Sequence, residues 1–194
     1  MTKALIVYGT RYGATASTSE EIAEVLRKDG FDVRVVNAKG EKVRDISEYE
    51  LVIVGSGMQI DRWTGEAEDF LKKFQKELAK KKVALFVSSG AQALIEHEGK
   101  PEKIGRGKKK YLEEKAAKYN LQPVALGLFG GVYNFSKAPW WAGKAMAITR
   151  QQLEAAGFKE TNGIYDTRDW NAIRGWTKDL VKKVHFGNGA SFQD

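Results

Sequence analysis

The sequence of 194 residues predicts an α/β domain built on a doubly wound parallel sheet. Two observations predict this class. Short apolar runs alternate along the chain with amphipathic stretches of helical period, as in repeated strand–helix units around a parallel sheet. The apolar runs also end in glycine or serine, which favour the turns that follow strands. We expect one domain over residues 1–186 and a disordered tail over 187–194.

Five strands are predicted from short runs rich in apolar and β-branched residues. The first run is apolar almost throughout, as expected of a strand that is buried on both faces. The predicted strands are Lys3–Tyr8, Phe31–Val36, Glu50–Val54, Val83–Val87 and Val124–Phe129.

Five helices are predicted from apolar residues at helical spacing. In the first, Ile22, Ala23 and Leu26 share one face, and serine and threonine residues near its start favour capping. The predicted helices are Thr15–Lys28, Gly65–Lys80, Lys108–Tyr119, Trp140–Ala156 and Trp170–Val184. Before the fourth helix lies Gly130–Pro139, which is rich in glycine and aromatic residues.

Composition narrows the possible chemistry. The chain has no cysteine, which excludes disulfides and iron–sulfur clusters held by its own thiolates. It has two histidines, His97 and His185, neither with a partner at ligand spacing, so we expect no metal site. No apolar run is long enough to span a membrane, and we expect a cytoplasmic protein. Redox chemistry would therefore need an organic cofactor.

The loop from Gly9 to Thr15 has the features of a phosphate site. Gly9 and Gly13 permit tight turns that present backbone N–H groups, and Thr10 and Thr15 add hydroxyls. The helix that follows contributes the positive end of its dipole, so a phosphate dianion needs no lysine there. The alternative is an ordinary strand-to-helix turn with an N-cap.

Single residues exclude three other kinds of functional site that are built on a similar arrangement of strand, loop and helix. A Walker loop requires Gly-Lys-Ser/Thr, and this loop has no lysine. A dinucleotide fingerprint requires G-x-G-x-x-G and an acidic residue after the second strand, where this chain has Asn37. A phosphoacceptor receiver domain requires aspartates after strands one and three, where this chain has Tyr8-Gly9 and Gly55-Ser56. A monophosphate site is the interpretation that remains.

The stretch Thr10-Arg11-Tyr12-Gly13-Ala14-Thr15 resembles the flavodoxin phosphate loop, S/T-x-T-G-x-T. The order of elements is similar over nearly all of residues 1–186. The resemblance implies a flavodoxin-like five-stranded parallel sheet in the order 2-1-3-4-5, flanked by helices, with an extra aromatic and basic segment after strand five. It also implies flavin mononucleotide (FMN) as cofactor, its phosphate held by Thr10, Arg11, Tyr12, Gly13, Ala14 and Thr15.

The resemblance assigns the ring of FMN to the loops after strands three and four. In flavodoxins a glycine of the first of these loops turns its peptide so that the carbonyl accepts a hydrogen bond from reduced N5, and Gly57 matches it. Trp63 either stacks on the ring or packs against the next helix. The residues assigned to the ring are Gly57, Met58, Gln59, Trp63, Ser88, Ser89, Gly90 and Ala91.

Many flavodoxins cover the outer face of the ring with a tyrosine in the second of these loops, and this chain has none between residues 88 and 98. Either Tyr133 or Trp140 covers that face, or the face is open to a substrate.

Two functions are compatible with such a site. The first is an electron-transfer flavoprotein that docks on a redox partner protein. The second is an FMN-dependent oxidoreductase acting on a quinone or a porphyrinogen-like molecule. The stretch Gly9–Thr15 is similar to S-T-R-D-G-Q-T of the menaquinone-dependent protoporphyrinogen oxidases, with which it shares Thr-Arg-x-Gly-x-Thr, and Tyr165–Trp170 is similar to their Y-T-D-W. In both functions the flavin carries the chemistry, so no catalytic side chain is assigned.

The net charge of +7 favours anionic partners, whereas typical flavodoxins are acidic. Aromatic and cationic residues in Val132–Arg150 are compatible with a peripheral contact on an anionic membrane at its inner face, and equally with an extra helix packed on the sheet. Arg106–Tyr111 carries charge that nucleic acid attracts, but a solvated helix start explains it as well. We do not expect nucleic-acid binding.

Overall fold

The computed structural model describes residues 1–58, 61–99, 101–137 and 143–187. Its main sheet has five parallel strands in the order β2-β1-β3-β4-β5, which confirms the predicted fold class and strand order. The strands are β1 (Lys3–Gly9), β2 (Asp32–Asn37), β3 (Leu51–Gly57), β4 (Lys82–Ser88) and β5 (Ala125–Phe129).

Helices cover both faces of this sheet. They are α1 (Ala14–Lys28), α2 (Gly65–Lys73), α3 (Gln75–Leu78), α4 (Gly90–His97), α5 (Pro101–Lys108), α6 (Glu114–Lys118), α7 (Gly143–Ala155) and α8 (Trp170–Phe186). A π-helical turn, Lys109–Glu113, joins α5 to α6, so the helical path runs from 101 to 118. None of the described helices combines the length and hydropathy needed to cross a bilayer.

Alternate residues of the central strands feed two apolar cores. Ala4 and Ile6 pack with α1 and α8 on one face of the sheet. Leu5 and Val7 pack on the other face with α2 and with Leu112 of the π turn. Since both faces of β1 are fully buried, its continuous apolar run follows from its central place.

Four features differ from the sequence prediction. The helical path predicted from Lys108 begins at Pro101. Helix α4 begins directly after Ser89, where a loop was expected. The predicted helix Gly65–Lys80 is broken at Phe74 into α2 and α3. A second, antiparallel sheet in the order β6-β8-β7 follows β5 and was not predicted. Its strands are β6 (Val132–Asn134), β7 (Glu160–Thr161) and β8 (Ile164–Asp166), too short to show a period of two.

Several predictions fall on residues outside the described ranges. These are Gln59 in the expected flavin site, Trp140 and Trp141 at the start of the fourth predicted helix, and residues 188–194 of the expected tail.

Candidate functional site

The carboxyl ends of β1, β3 and β4 lie side by side, and the site is built on them. Gly9 pairs in register with Ser56, and Gly57 pairs with Ser88. Met58 continues the ladder, with its N–H donating to the Ser88 carbonyl at 3.0 Å. This register brings the phosphate loop and the segments after β3 and β4 to one edge, as expected of a doubly wound sheet.

The phosphate loop ends in a left-handed residue that starts α1. Gly13 is the N-cap, with φ of 90°, and no side chain caps the first turn. Its N–H donates to Thr10 Oγ1 at 3.0 Å, which closes the loop on itself. The first backbone N–H groups of α1 are therefore left to an external acceptor, at the positive end of the helix dipole.

Two buried hydroxyls border the same small cavity. Among the described residues, Thr15 Oγ1 and Ser88 Oγ have no hydrogen-bond partner. A buried hydroxyl without a partner is costly, so these atoms are suited to a ligand that supplies acceptors. The cavity, of about 40 Å³, is lined by Thr10, Arg11, Tyr12, Ala14, Thr15, Gly57, Met58, Ser88, Gly90, Gly131 and Val132. The donors fit a phosphate group.

Close approaches explain two of the glycines around this cavity. A methyl group on Gly57 would lie 3.1 Å from Thr15 Oγ1, so a larger residue would crowd the hydroxyl. A methyl group on Gly9 would lie 1.9 Å from Thr64 Oγ1. Thr64 is in turn held through its N–H, which donates to Ser56 Oγ at 2.9 Å. This buried contact fixes the segment after β3 against the phosphate loop.

A larger cavity of about 620 Å³ adjoins the first, with which it shares Tyr12, Met58, Gly90 and Val132. Its volume lies in the range of ordinary cofactor pockets. Its other lining residues are Asp61, Ser89, Ala91, Gln92, Ile95, Lys103, Arg106, Gly107, Lys110, Tyr111 and Tyr133. Together the two cavities offer a small anion site beside a wide pocket with aromatic and aliphatic walls.

Tyr133 of β6 forms part of the wall of this pocket. A methyl group on Gly90 would lie 2.8 Å from its ring, so the two residues are in close contact. Its ring stacks on Phe135 with 6.0 Å between centroids. Burial raises the pKa of Tyr133 to about 12, so the phenol stays neutral. Tyr133 was one of the two residues expected to cover the ring in place of the missing tyrosine, and its position is compatible with that role.

Most of the predicted site residues are brought together. Twelve of the fourteen either line one of the two cavities or, like Gly13, shape the loop beside them. Trp63 does not line either cavity: it is 6% exposed, packs in the apolar core, and donates from Nε1 to the Tyr111 carbonyl at 2.9 Å. Trp63 therefore packs as a core residue, which favours the packing alternative over stacking on the ring. Gln59 lies outside the described residues.

Sequence reasoning missed the wall formed by α5 and the π turn. Lys103, Arg106, Lys110 and Tyr111 all face the larger cavity, although the charge run around them had been interpreted as a solvated helix start. In this run, lysine and arginine alternate with Ile104, Gly107 and Tyr111, and this pattern was the signal in the sequence that one side of the helix is not simply solvated. In the described part of the chain, no three histidine or acidic residues are grouped to hold a metal.

The segment before α8 also reaches the site. Thr167 Oγ1 accepts a hydrogen bond from the N–H of Gly131 at 3.1 Å, and its own N–H donates to the Gly131 carbonyl at 2.9 Å. Arg168 Nη1 donates to the Ala14 carbonyl in the first turn of α1 at 3.1 Å. Thr167 and Arg168, both within the stretch Tyr165–Trp170, thus contact the lining of the small cavity and the first turn of α1.

Comparison with known proteins identifies the relatives of this chain. A family model described as a flavodoxin domain matches residues 5–159. A curated flavodoxin from Clostridium beijerinckii is 30% identical over 87 residues, which make up 44% of this chain and 63% of that protein. The match thus spans less than two thirds of that relative's length.

Solved structures of low sequence identity share the fold. A flavodoxin from the domain Archaea is 20% identical with a TM-score of 0.54, and the alignment covers 95% of this chain and 99% of that one. The flavodoxin of Fusobacterium nucleatum, solved bound to flavin mononucleotide, is 19% identical with a TM-score of 0.53, covering 94% of this chain and 99% of that one.

Proposed function

The chain belongs to the flavodoxin family, and on this premise we propose that it binds FMN and serves as an electron-transfer flavoprotein of flavodoxin type. The observation that carries the proposal is the pair of partnerless buried hydroxyls, Thr15 Oγ1 and Ser88 Oγ, on a small cavity at the start of α1. Bound FMN would supply reversible one- and two-electron transfer.

The described residues have distinct tasks in this proposal. The first turn of α1 and Thr15 bind the phosphate, while Met58, Gly90 and Tyr133 border the pocket for the ring. Gly57 stays close to Thr15 without crowding it, so the phosphate and the ring are held by adjoining parts of one surface. We further propose that residues 1–186 act as one FMN-binding domain, since α8 packs in the same core as α1.

We propose that the electron partner is a protein whose docking face carries carboxylates. The helical path 101–118 has seven lysines and arginines but three glutamates, and Lys103, Arg106 and Lys110 of this path line the larger cavity. Lys103 pairs with Glu98, and Lys110 pairs with Asp61 at 2.9 Å. Arg106 lines the cavity and is exposed, and within the described chain it has no ion-pair partner. Opposite charge steers the encounter of two proteins.

The decisive experiment compares FMN with riboflavin, which lacks the phosphate. The purified apoprotein is titrated with each flavin, and quenching of flavin fluorescence gives the two dissociation constants. We expect FMN to bind at least tenfold more tightly, because the phosphate interacts with the helix dipole and with charge-assisted hydrogen bonds. Equal affinities, or no binding of either flavin, would refute the proposal.

A stepwise reduction separates a carrier from an enzyme. In the FMN-loaded protein, two resolved one-electron steps in the absorption spectrum favour the carrier. Prompt two-electron reduction by a porphyrinogen with a quinone present would favour the oxidoreductase instead.

A further inference from the structure

Asp61, just beyond β3, is held by two groups of the π turn that lies 50 residues away. Tyr111 Oη donates to Asp61 Oδ1 at 2.5 Å, and Lys110 Nζ donates to Asp61 Oδ2 at 2.9 Å. Asp61 has a φ of 59°, a left-handed conformation that costs a non-glycine residue free energy. The two hydrogen bonds to its carboxylate help to hold this conformation.

Tyr111 makes a second contact with the same stretch of chain. Its carbonyl accepts the hydrogen bond from the buried Trp63 at Nε1, at 2.9 Å, in a partly buried environment. One residue thus binds the segment at two points, with its hydroxyl on Asp61 and its backbone on Trp63. It does so from a π-helical turn. Such turns are rare in proteins overall, but those that occur are often found at functional sites.

These contacts differ in strength. The side chains of Lys110 and Asp61 are 49% and 63% exposed, and an ion pair so open to water contributes little. The Tyr111 hydroxyl is better shielded, and burial followed by the bond to Asp61 raises its pKa to about 12. It therefore remains a protonated donor at neutral pH. The hydrogen bonds of Tyr111, more than the lysine, hold the segment.

Asp61, Lys110 and Tyr111 all line the larger cavity, next to Met58 at the end of β3. We propose that Tyr111 is a positioning residue that holds this wall of the cavity in the shape that receives the flavin ring. The inference rests on the proposed function, because the ring is its ligand. A preformed wall lowers the entropic cost of binding, so its loss weakens binding of the ring portion of any flavin.

The chain contains a matched control for this cluster. Tyr119 Oη donates to Glu68 Oε1 at 3.0 Å, and Lys115 and Lys118 pair with the same carboxylate. The chemistry repeats that of Tyr111, Asp61 and Lys110 on the same helical path. Among the described residues, however, this second cluster contributes none of the lining of either cavity beside β3. Removing the Tyr119 hydroxyl removes a similar bond without touching the wall.

The test compares Tyr111→Phe with Tyr119→Phe in two measurements. In the apoprotein, trypsin cleavage after the exposed Arg62 is followed by mass spectrometry; Tyr111→Phe should speed it about fivefold, the scale of one lost hydrogen bond. In titrations, Tyr111→Phe should weaken FMN and riboflavin by the same factor of about three to ten. Tyr119→Phe should leave both measurements at the wild-type value.

The inference fails if Tyr111→Phe leaves either the cleavage after Arg62 or the flavin affinities unchanged. It also fails if Tyr119→Phe produces the same changes, since the effect would then be one of general stability. A wild-type protein that does not prefer FMN to riboflavin refutes the proposed function instead, and the proteolysis of the apoprotein still reports on the contacts of Tyr111.

Discussion

The guanidinium of Arg168 donates to the carbonyl oxygen of Ala14 at 3.1 Å, joining residues 154 positions apart in the chain. The same side chain is 8% exposed and pairs with Asp166 at 2.6 Å. It also lies over the ring of Trp170, 4.3 Å from the centroid. A shielded guanidinium, paired with Asp166, therefore stands beside the first turn of α1, where the phosphate is expected.

Replacing Arg168 with methionine should weaken FMN more than riboflavin. The variant loses a cation near the phosphate, so its FMN dissociation constant should rise severalfold at low salt and less at high salt, because salt screens the interaction. The free energy of unfolding should fall by roughly 1–3 kcal/mol, since Asp166 and the Ala14 carbonyl lose a charged donor. Flavin titration and urea unfolding measure the two effects.

Arg174→Met is the control for Arg168→Met, because Arg174, in α8, also contacts α1, through an ion pair with Glu21. An equal loss of FMN affinity in Arg174→Met would contradict the prediction.

Replacing Thr15 with alanine should cost FMN binding roughly 1–2 kcal/mol and leave riboflavin unchanged, as expected for one hydrogen bond to a charged group. Fluorescence titration measures both. Thr18→Ala is the matched control: Thr18 Oγ1 is also buried in α1 without a partner in the described chain, but Thr18 does not line the cavity. An FMN affinity that is the same in Thr15→Ala and wild type would remove Thr15 from the phosphate site.

Gly90→Ala should narrow the larger cavity. The added methyl group would lie 2.8 Å from the Tyr133 ring, so the ring must shift. We expect both flavins to bind about tenfold more weakly, an effect in the range of overpacking in a well-packed site. Gly105→Ala provides the comparison, since a methyl group there meets no atom within 4 Å. Tight flavin binding by the Gly90 variant would show that Tyr133 is not part of the ring pocket.

Electron transfer to an acidic redox protein should slow as ionic strength rises, because screening weakens the attraction between opposite charges. Arg106→Glu should reduce the second-order rate constant severalfold at low salt, as measured by stopped flow with the FMN-loaded protein. Lys178→Glu makes the same charge change on the exposed side of α8 and should have a smaller effect. Rates that rise with salt would show that the basic face does not attract the acidic protein and would contradict the proposed docking.

Glu68 should make stability depend on pH in acid. Partial burial alone would raise its pKa, but hydrogen bonds from Lys118, Lys115 and Tyr119 outweigh burial and lower the pKa from 4.5 to about 2. A depressed pKa in the folded state stabilises the protein fully above pH 4.5, and this contribution is lost as the pH falls towards 2. The difference in unfolding free energy between wild type and Glu68→Gln, from urea denaturation, should therefore shrink over this interval. A constant difference would show that the carboxylate is not stabilised by its partners.

The main sheet was predictable because its signals are local. The continuous apolar run of β1 and the glycine that ends it lie within seven residues, and the phosphate loop follows directly. The wall of the larger cavity depends on contacts between distant residues: Tyr111 meets Asp61 across 50 positions and Trp63 across 48. Nothing in the neighbourhood of Trp63 distinguishes a stacking ring from a core ring, because its partner is so remote. The π turn that places Tyr111 has no signature of its own in the sequence.

The antiparallel pairing of β6 with β8 sets Val132 opposite Asp166. The described residues between Asn134 and Ile164 therefore form an excursion whose two ends meet at one paired stem. The Gly131–Thr167 hydrogen bonds close the base of that stem, on the side of the cavity. Because the stem is closed by its own hydrogen bonds, we expect a change of length in the excursion to leave the Gly131–Thr167 contact at the floor of the site in place.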